Sequence, residues 1–382
     1  MWTRRRIAST TAVLAAIALL AWLAFHSLEP SYHGKSLGAW LEQARQNKEI
    51  ENAMPDVYLD TPSARAVRAM GKHALPSLTR MAHTRDTLLR KRMVDLSRQY
   101  EWLGIHPQPF EDIQMKAAYG FMVLGPTAKS ALPELISMLD DSAPEVRLLA
   151  AFAIGKIGCD GAPAIPALQK LITKSVSAIP QPKSSTDERG LAAYALGAMG
   201  SAARSALPQI QLLRNDTNIF VRAAAEAAFI KISGQGLNTV IDLLNDPDST
   251  NWLFAAEAIG FIGTNGASAI PYLTAALQNT NASVREKALD ALSAIHMSPE
   301  TTIPAILPLA AATNTNNWTR ASALSALRNF GPSARDIVPM STLLQALQDP
   351  DENVRIRATN ALRQIDPEAA RKAGIDSDDA TK

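Results

Sequence analysis

The sequence predicts an all-α protein, in which an α-solenoid of about nine helix pairs follows one N-terminal transmembrane helix. One spaced pattern of residues recurs nine times along the 382 residues, which is typical of a repeat architecture. Most copies are followed by a glycine and then a proline, which predict a turn and the start of a second helix. An uninterrupted apolar run near the N-terminus predicts the membrane span.

The first predicted element is the apolar run 7–25, which follows the basic N-terminus 1–6. As a helix it would be about 28 Å long, close to the thickness of a bilayer core. Export after cleavage of a signal peptide is the alternative, but cleavage after Ala24 would place bulky Trp22 where a small residue is needed. We therefore expect an uncleaved anchor whose basic N-terminus stays in the cytoplasm. In a bacterium, the chain beyond a linker at 26–36 then lies on the periplasmic side of the inner membrane.

Each copy of the pattern predicts one amphipathic helix. Counted from a leading residue such as Arg147, the third residue on is small, and the seventh and tenth are large and apolar, as in Ala150, Ile154 and Ile157. Residues at these spacings share one face of a helix. The nine leading residues are Asp60, Gln114, Arg147, Arg189, Arg222, Trp252, Arg285, Arg320 and Arg355.

A turn and a second helix complete each copy. Gly158 stands eleven residues after its leading residue, where a positive φ ends a helix at little cost, and Pro166 suits the first turn of the second helix. Asp141 precedes the leading residue by six positions and marks the turn that returns the chain. The prolines equivalent to Pro166 are Pro133, Pro208, Pro271, Pro304 and Pro339. Because one pair cannot bury its apolar face alone, we predict that the pairs stack into a solenoid over 37–366.

Two insertions and a tail interrupt or follow the repeats. The segment 79–104 carries six basic residues, and we expect a solvated helix face, with contact to anionic lipid head groups as the alternative. The Pro- and Ser-rich segment 175–188 is expected to be a surface loop, and the polar tail 367–382 is expected to fray. Three positions depart from the pattern: Trp252 replaces a leading arginine, the fifth copy lacks its proline near Val240, and His296 replaces a turn glycine.

One helix position carries aromatic residues that the predicted core does not require. The fifth residue after the leading one points away from that core, and it is aromatic in three consecutive copies before it becomes alanine, acidic or polar. We therefore hypothesise an apolar strip that binds a protein or peptide on the concave face of the solenoid. The candidate binding residues are Tyr119, Phe152, Tyr194, Met115, Met122 and Leu148. Two alternatives stay open: the segment 79–104 covers the strip, or the helical phase is shifted by one residue.

The sequence offers little chemistry for catalysis. Its six histidines form no metal-binding motif, Cys159 has no second cysteine to pair with, and no nucleophile or phosphate-binding motif is present. Without the three N-terminal arginines, 35 basic residues stand against 36 acidic ones, which gives no electrostatic footprint for nucleic acid. We expect no enzyme activity, cofactor, metal or nucleic-acid partner. The leading arginines are expected to form a structural ladder between turns: Arg147, Arg189, Arg222, Arg285, Arg320 and Arg355.

The stretch "LPELISMLDDSAPEVRLLAAFAIGKIG", echoed by "IPYLTAALQNTNASVREKALDALSAI", resembles HEAT repeats, specifically the short type of phycobilisome-lyase proteins. The leader "EPSYHGKSLGAWLEQARQ" resembles that of some membrane-anchored bacterial HEAT-repeat proteins. The resemblance implies an armadillo-type α-solenoid and says little about function. We expect a membrane-tethered, non-catalytic interaction scaffold. The alternative that the resemblance implies is a bilin-lyase-like enzyme or chromophore-binding protein.

Overall fold

The structure of the protein is a computed structural model. The described residues are 29–47, 50, 61–84, 110–176, 187–246, 248–311 and 316–375. The predicted N-terminus 1–6 and anchor 7–25 lie outside them, as do most of the two insertions and the end of the tail. The chain forms two compact units, Met1–Glu134 and Leu135–Lys382, which are described separately.

The first unit begins with a small hairpin in the segment that was expected to be a linker. Strands β1 (Ser31–Tyr32) and β2 (Lys35–Ser36) pair antiparallel, and His33 and Gly34 turn the chain with φ angles of 49° and 72°. Trp40 fastens the following helix to this hairpin, because its indole Nε1 donates to the Tyr32 carbonyl at 3.1 Å. The helices among the described residues of this unit are α1 (Leu37–Gln46), α2 (Pro62–Met70), α3 (Leu75–Ala82) and α4 (Phe110–Leu124), and α5 (Leu132–Met138) spans the boundary at Glu134.

The second unit contains the helix pairs that the repeats predict. First helices carry the leading residues: α6 (Pro144–Ile157), α8 (Glu188–Ala198), α10 (Ile219–Ser233), α12 (Ser249–Ile262), α14 (Ala282–Ile295), α16 (Asn317–Asn329) and α18 (Glu352–Ile365). Second helices alternate with them: α7 (Ile165–Val176), α9 (Leu207–Leu213), α11 (Leu237–Asp242), α13 (Ile270–Ala276), α15 (Pro299–Ala310) and α17 (Met340–Ala346), and α19 (Pro367–Lys372) follows. The predicted all-α solenoid of helix pairs is thus confirmed for these residues.

Aspartate and asparagine start most of the first helices. The Asp216 carboxylate accepts from the Asn218 backbone N–H at 2.8 Å, and the Asn218 side chain accepts from the Phe220 N–H at 3.0 Å. The same two-step arrangement recurs at Asp246 and Asp248. These side chains satisfy backbone donors that a helix N-terminus leaves without partners, which is why the turn residues recur with the repeat.

The turns between most paired helices contain a short 3₁₀ helix that the sequence pattern does not predict. Gly158 ends α6 with φ 75°, and the next residues form a 3₁₀ helix, Gly158–Ala164, before α7 begins. His296 stands in the place of such a glycine and keeps a left-handed backbone, with φ 36°. The expectation for Pro304 is wrong, because it lies inside α15 rather than in its first turn. Pro299 occupies that first turn and starts the helix earlier.

The small third position is buried as the pattern predicts. Ala150 and its equivalents, Ala192, Ala225, Ala255, Ala288, Ala323 and Ala358, are all 0% exposed. The large seventh residue is also fully buried in most copies, for example Ile154 and Leu292, whereas Phe229 is half-buried. Small side chains at the contact let neighbouring helices approach closely while the seventh and tenth residues fill the space between them.

Two stretches of the repeats are long and apolar enough to cross a membrane by length and composition, Pro144–Thr173 and Ser249–Ala276. Each stretch consists of two helices separated by a 3₁₀ turn, and much of its apolar surface is buried against neighbouring helices. They are therefore explained as core helix pairs of the repeat array.

Candidate binding surface on the first helices

The first helices of the second unit form one continuous layer, which we call the inner layer. Successive first helices pack along their lengths, from α6 to α18, whereas successive second helices touch only slightly. The inner layer therefore presents one continuous face that runs across all the repeats of this unit.

Four aromatic rings meet on the inner layer, and we call them the aromatic cluster. The Phe152 and Tyr194 ring centroids lie 5.4 Å apart, and Tyr194 lies 6.1 Å from Phe261. Phe220 packs edge-on against Phe261 at 5.2 Å. The cluster therefore joins four different first helices, and it brings together residues that are two repeats apart.

Glycines inside two first helices make room for these rings. A Cβ atom on Gly155 would lie 2.6 Å from the Tyr194 ring, and one on Gly190 would lie 2.9 Å from the Phe220 ring. Real Cβ atoms do not approach other atoms so closely, so the two glycines allow each ring to rest directly on the neighbouring helix backbone. Glycine is costly in a helix interior, by about 1 kcal/mol relative to alanine, and this contact explains its presence.

The predicted exposed strip is exposed only in part. Tyr119 is 0% exposed, Met122 1% and Phe152 6%, so the expectation that they project into solvent is wrong. Neighbouring helices cover Phe152, since Tyr194 packs against its ring. Tyr194, Met115 and Leu148 are half-buried. Of the three predicted aromatic anchors, Tyr194 is the one that keeps accessible surface.

Two lysines border the aromatic cluster. The Lys156 Nζ lies 5.1 Å from the centroid of the Phe152 ring, a cation–π contact. The Lys231 Nζ donates to the Phe261 carbonyl at 3.3 Å. Burial lowers the pKa of Lys231, and the positive charge of Lys156 lowers it further. This end of the inner layer is therefore aromatic and cationic.

The next part of the inner layer carries carboxylates. The Lys287 Nζ lies 2.8 Å from the Glu257 Oε2 and 3.5 Å from the Asp290 Oδ2. Burial alone would lower the pKa of Lys287, but these two carboxylates outweigh it and raise that pKa above its ordinary value. Two carboxylates share one lysine here, so the local charge is negative.

Arginine follows in the last two first helices. The Arg357 Nη1 donates to the Ser325 Oγ at 2.8 Å, and Arg328 is 9% exposed beside Asn329, to which it donates. The inner layer thus changes along its length from aromatic and cationic, through acidic, to basic.

The leading arginines hold the turns together rather than form a reactive site. The Arg147 Nη1 donates to the carbonyls of Asp141 and Ser142 at 2.8 and 3.1 Å, and Arg222, Arg285 and Arg355 each repeat this pair of bonds with their own turns. Three arginines also reach a carboxylate of the next copy: Arg147 to Glu188 at 2.7 Å, Arg189 to Asp216 at 2.6 Å and Arg320 to Asp349 at 2.7 Å.

Sequence reasoning missed part of this surface. Phe220, Phe261 and Lys231 do not stand at the fifth position of their copies, so the spacing that selects Tyr194 passes over them. The available signal is Ala227, the fifth residue of the copy between those of Tyr194 and Phe261, because this position carries no ring in that copy. Within the described ranges, no group of three or more His, Cys, Asp or Glu side chains is arranged to hold a metal ion.

Comparisons with protein families identify the repeats. Models of HEAT repeats match residues 237–328 and 340–367, a HEAT-like repeat matches 120–157, and a PBS lyase HEAT-like repeat matches 146–174. The family that the sequence resembles is therefore confirmed. No curated protein matches the sequence.

The solved structures that match this chain support no inference about function, because their TM-scores lie below 0.5. An engineered protein is 20% identical, covering 87% of this chain and 96% of its own, with a TM-score of 0.32. The complex of CpcE and CpcF of phycocyanin lyase from Nostoc sp. PCC7120 is 21% identical, covering 72% of this chain and 95% of that chain, with a TM-score of 0.43.

Proposed function

Because the chain is a HEAT-repeat protein, we propose that it is a non-catalytic scaffold that binds an extended segment of a partner protein along its inner layer. The observation that carries this proposal is the aromatic cluster. Tyr194, Phe220 and Phe261 come from three different helices, meet on the inner layer, and are only half-buried. Aromatic rings held on a rigid surface are typical anchors of protein interfaces.

The charges beside the cluster indicate the kind of segment that fits. Lys156 and Lys231 favour acidic groups next to the apolar anchor of the partner. Glu257 and Asp290, which lie farther along the same layer, favour basic groups. Such alternation fixes the direction and register of an extended segment, since the reversed segment would place like charges together.

Site-specific photo-crosslinking in the native cell tests this function. The full chain carries p-azidophenylalanine at position 194 on the inner layer or, as the matched control, at position 344. Leu344 lies on a second helix and is 44% exposed. We expect a defined covalent adduct from position 194 and none from 344. Lys156→Glu should weaken the adduct, because it reverses a charge beside the anchor. Equal adducts from both positions, or none from position 194, would contradict the proposal.

We also propose that residues 7–25 anchor the repeats to the periplasmic face of a bacterial inner membrane. The support is the apolar run behind three arginines. Cys159 is exposed, and it is the one cysteine of the chain, so it is a natural reporter of topology. A membrane-impermeant maleimide should label it in intact spheroplasts, and Cys159→Ser should remain unlabelled. Labelling that requires permeabilisation would place the repeats in the cytoplasm.

A second candidate function is a bilin-lyase-like or chromophore-binding role. The observation that favours it is the match of residues 146–174 to the PBS lyase HEAT-like repeat. This role requires a bound tetrapyrrole. Purified full chain mixed with a free bilin should then show a shifted visible absorption band that co-migrates with the protein, whereas an unchanged bilin spectrum would remove this candidate.

A further inference from the structure

One turn of the second unit lacks the arginine that closes the neighbouring turns. The Arg222 guanidinium donates to the carbonyls of Asp216 and Thr217 at 2.7 and 3.1 Å, and Arg285 does the same two repeats later at 2.7 and 2.9 Å. Between them, the leading position is occupied by Trp252, whose ring carries no cation. Among the described residues, no donor reaches the Asp246 carbonyl, which is the equivalent of the Asp216 carbonyl.

A groove lies at this position. Its cavity volume is 390 Å³, and it is lined by Asp246, Trp252, Tyr272, Asn279 and Asn281, among others. Trp252 is 7% exposed, whereas Tyr272 is 38% exposed. Turn residues, the second helix α13 and the starts of the first helices α12 and α14 line the groove, and none of the lining residues belongs to the aromatic cluster.

The groove is arranged to receive a positive charge. Asp246 is the one charged residue among those that line it. The Asp246 carboxylate accepts from the Asn251 Nδ2 at 2.9 Å and from the Asp248 N–H at 2.8 Å, and neither donor carries a positive charge. In the equivalent turn of a later copy, the Asp349 carboxylate has an arginine at 2.7 Å. In other copies the leading arginine also pairs with the aspartate of the next turn, as Arg320 does with Asp349. After Trp252 this position is Asn279, so no carboxylate is left there without its arginine.

We propose that this groove binds the guanidinium group of an arginine side chain on a partner protein. The partner's arginine takes the place that the chain's own leading arginine occupies in the other copies, and it donates to the Asp246 carbonyl beside the Asp246 carboxylate. The exposed Tyr272 ring offers a face on which a planar guanidinium stacks. A lysine ammonium fits less well, because it is not planar and cannot stack on the Tyr272 ring while it donates to Asp246.

Saturation-transfer NMR on the full chain in detergent tests this site. The probe is N-acetyl-arginine amide, and N-acetyl-citrulline amide is the neutral control of nearly the same shape. We expect transfer to the arginine δ protons and little to citrulline. Trp252→Arg should abolish the signal, because it restores the chain's own guanidinium to the groove. Asp246→Asn should weaken binding by about tenfold, the effect of losing one charge-assisted contact. Asp242→Asn, an exposed aspartate of the same repeat that does not line the groove, should change nothing.

Several results would overturn the proposal. Equal transfer to arginine and citrulline would show that the charge is not recognised, and an unaltered signal in folded Trp252→Arg would place the binding elsewhere. If Trp252→Arg does not fold, the comparison of Asp246→Asn with Asp242→Asn decides, and equal binding by these two variants rejects the site. The inner-layer adduct from position 194 should survive Asp246→Asn, so failure of this inference and failure of the scaffold proposal are distinguishable.

Discussion

Asp349 is the residue at which most ladder contacts converge. Its carboxylate accepts from the Arg320 guanidinium at 2.7 and 2.9 Å and from the Asp351 N–H at 2.9 Å, and its carbonyl accepts from Arg355 at 2.8 Å. The Arg320 guanidinium, followed by the Asp351 N–H, holds the pKa of this carboxyl below its ordinary value despite burial, which acts in the opposite direction. One side chain thus links two consecutive copies of the repeat.

The lowered pKa of Asp349 predicts a loss of stability in acid. A carboxyl whose pKa is lower in the folded chain stabilises the fold above the unfolded pKa, near 4, and this contribution is lost as the pH falls through the folded value. Asp349→Asn should lower the free energy of unfolding by about 3 kcal/mol at pH 7, because Arg320 stays buried without its counter-charge. Denaturant titrations at pH 7 and at a pH below 3 should show this difference shrink in acid.

The matched control for this prediction is Asp336→Asn. Asp336 is exposed, and the variant should unfold like the parent chain at both pH values. A difference between Asp349→Asn and the parent that stays constant from pH 7 into acid would contradict the assigned ion pair.

Spacing predicts the burial of single residues within a copy better than it predicts contacts between copies. Ala150 and Ile154 are buried as expected, because their positions face the other helix of the pair and the adjacent repeat. Phe152 points away from that core, and the sequence gives no sign that Tyr194 of the next copy covers it. The phase of one helix does not determine how closely the next helix approaches, and that distance decides whether a ring is buried.

For the helices, capping and turn residues predict most of the ends correctly. Glycine at the end of α6 and proline in the first turn of α9 follow directly from backbone geometry. The repeat spacing does not predict the early start of α15, because Pro299 and Pro304 are both suited to a first helical turn. The helix begins at the first of them, Pro299. The small hairpin before α1 was missed because a two-residue strand is too short to leave a periodic signal.

At the scale of the whole molecule, repetition explains why architecture could be predicted and the binding partner could not. Each copy buries a face of its neighbours, so the residues that recur are those required for stacking. The residues that distinguish one copy from another, such as Phe220, Phe261 or Trp252, do not recur at their positions in the other copies. These non-recurring side chains form the aromatic cluster and the groove, and their contacts require the coordinates of several copies together.

The first helices stack into an inner layer tight enough to join side chains two repeats apart. The Tyr194 and Phe261 rings, 6.1 Å apart across the intervening α10, test it directly. In a deuterated full chain with protonated Tyr and Phe rings, we predict a nuclear Overhauser cross-peak between these two residues that disappears in Phe261→Leu. The Phe152–Tyr194 pair, 5.4 Å apart on adjacent helices, supplies the reference peak. A reference peak without the Tyr194–Phe261 peak would contradict the inner layer described above.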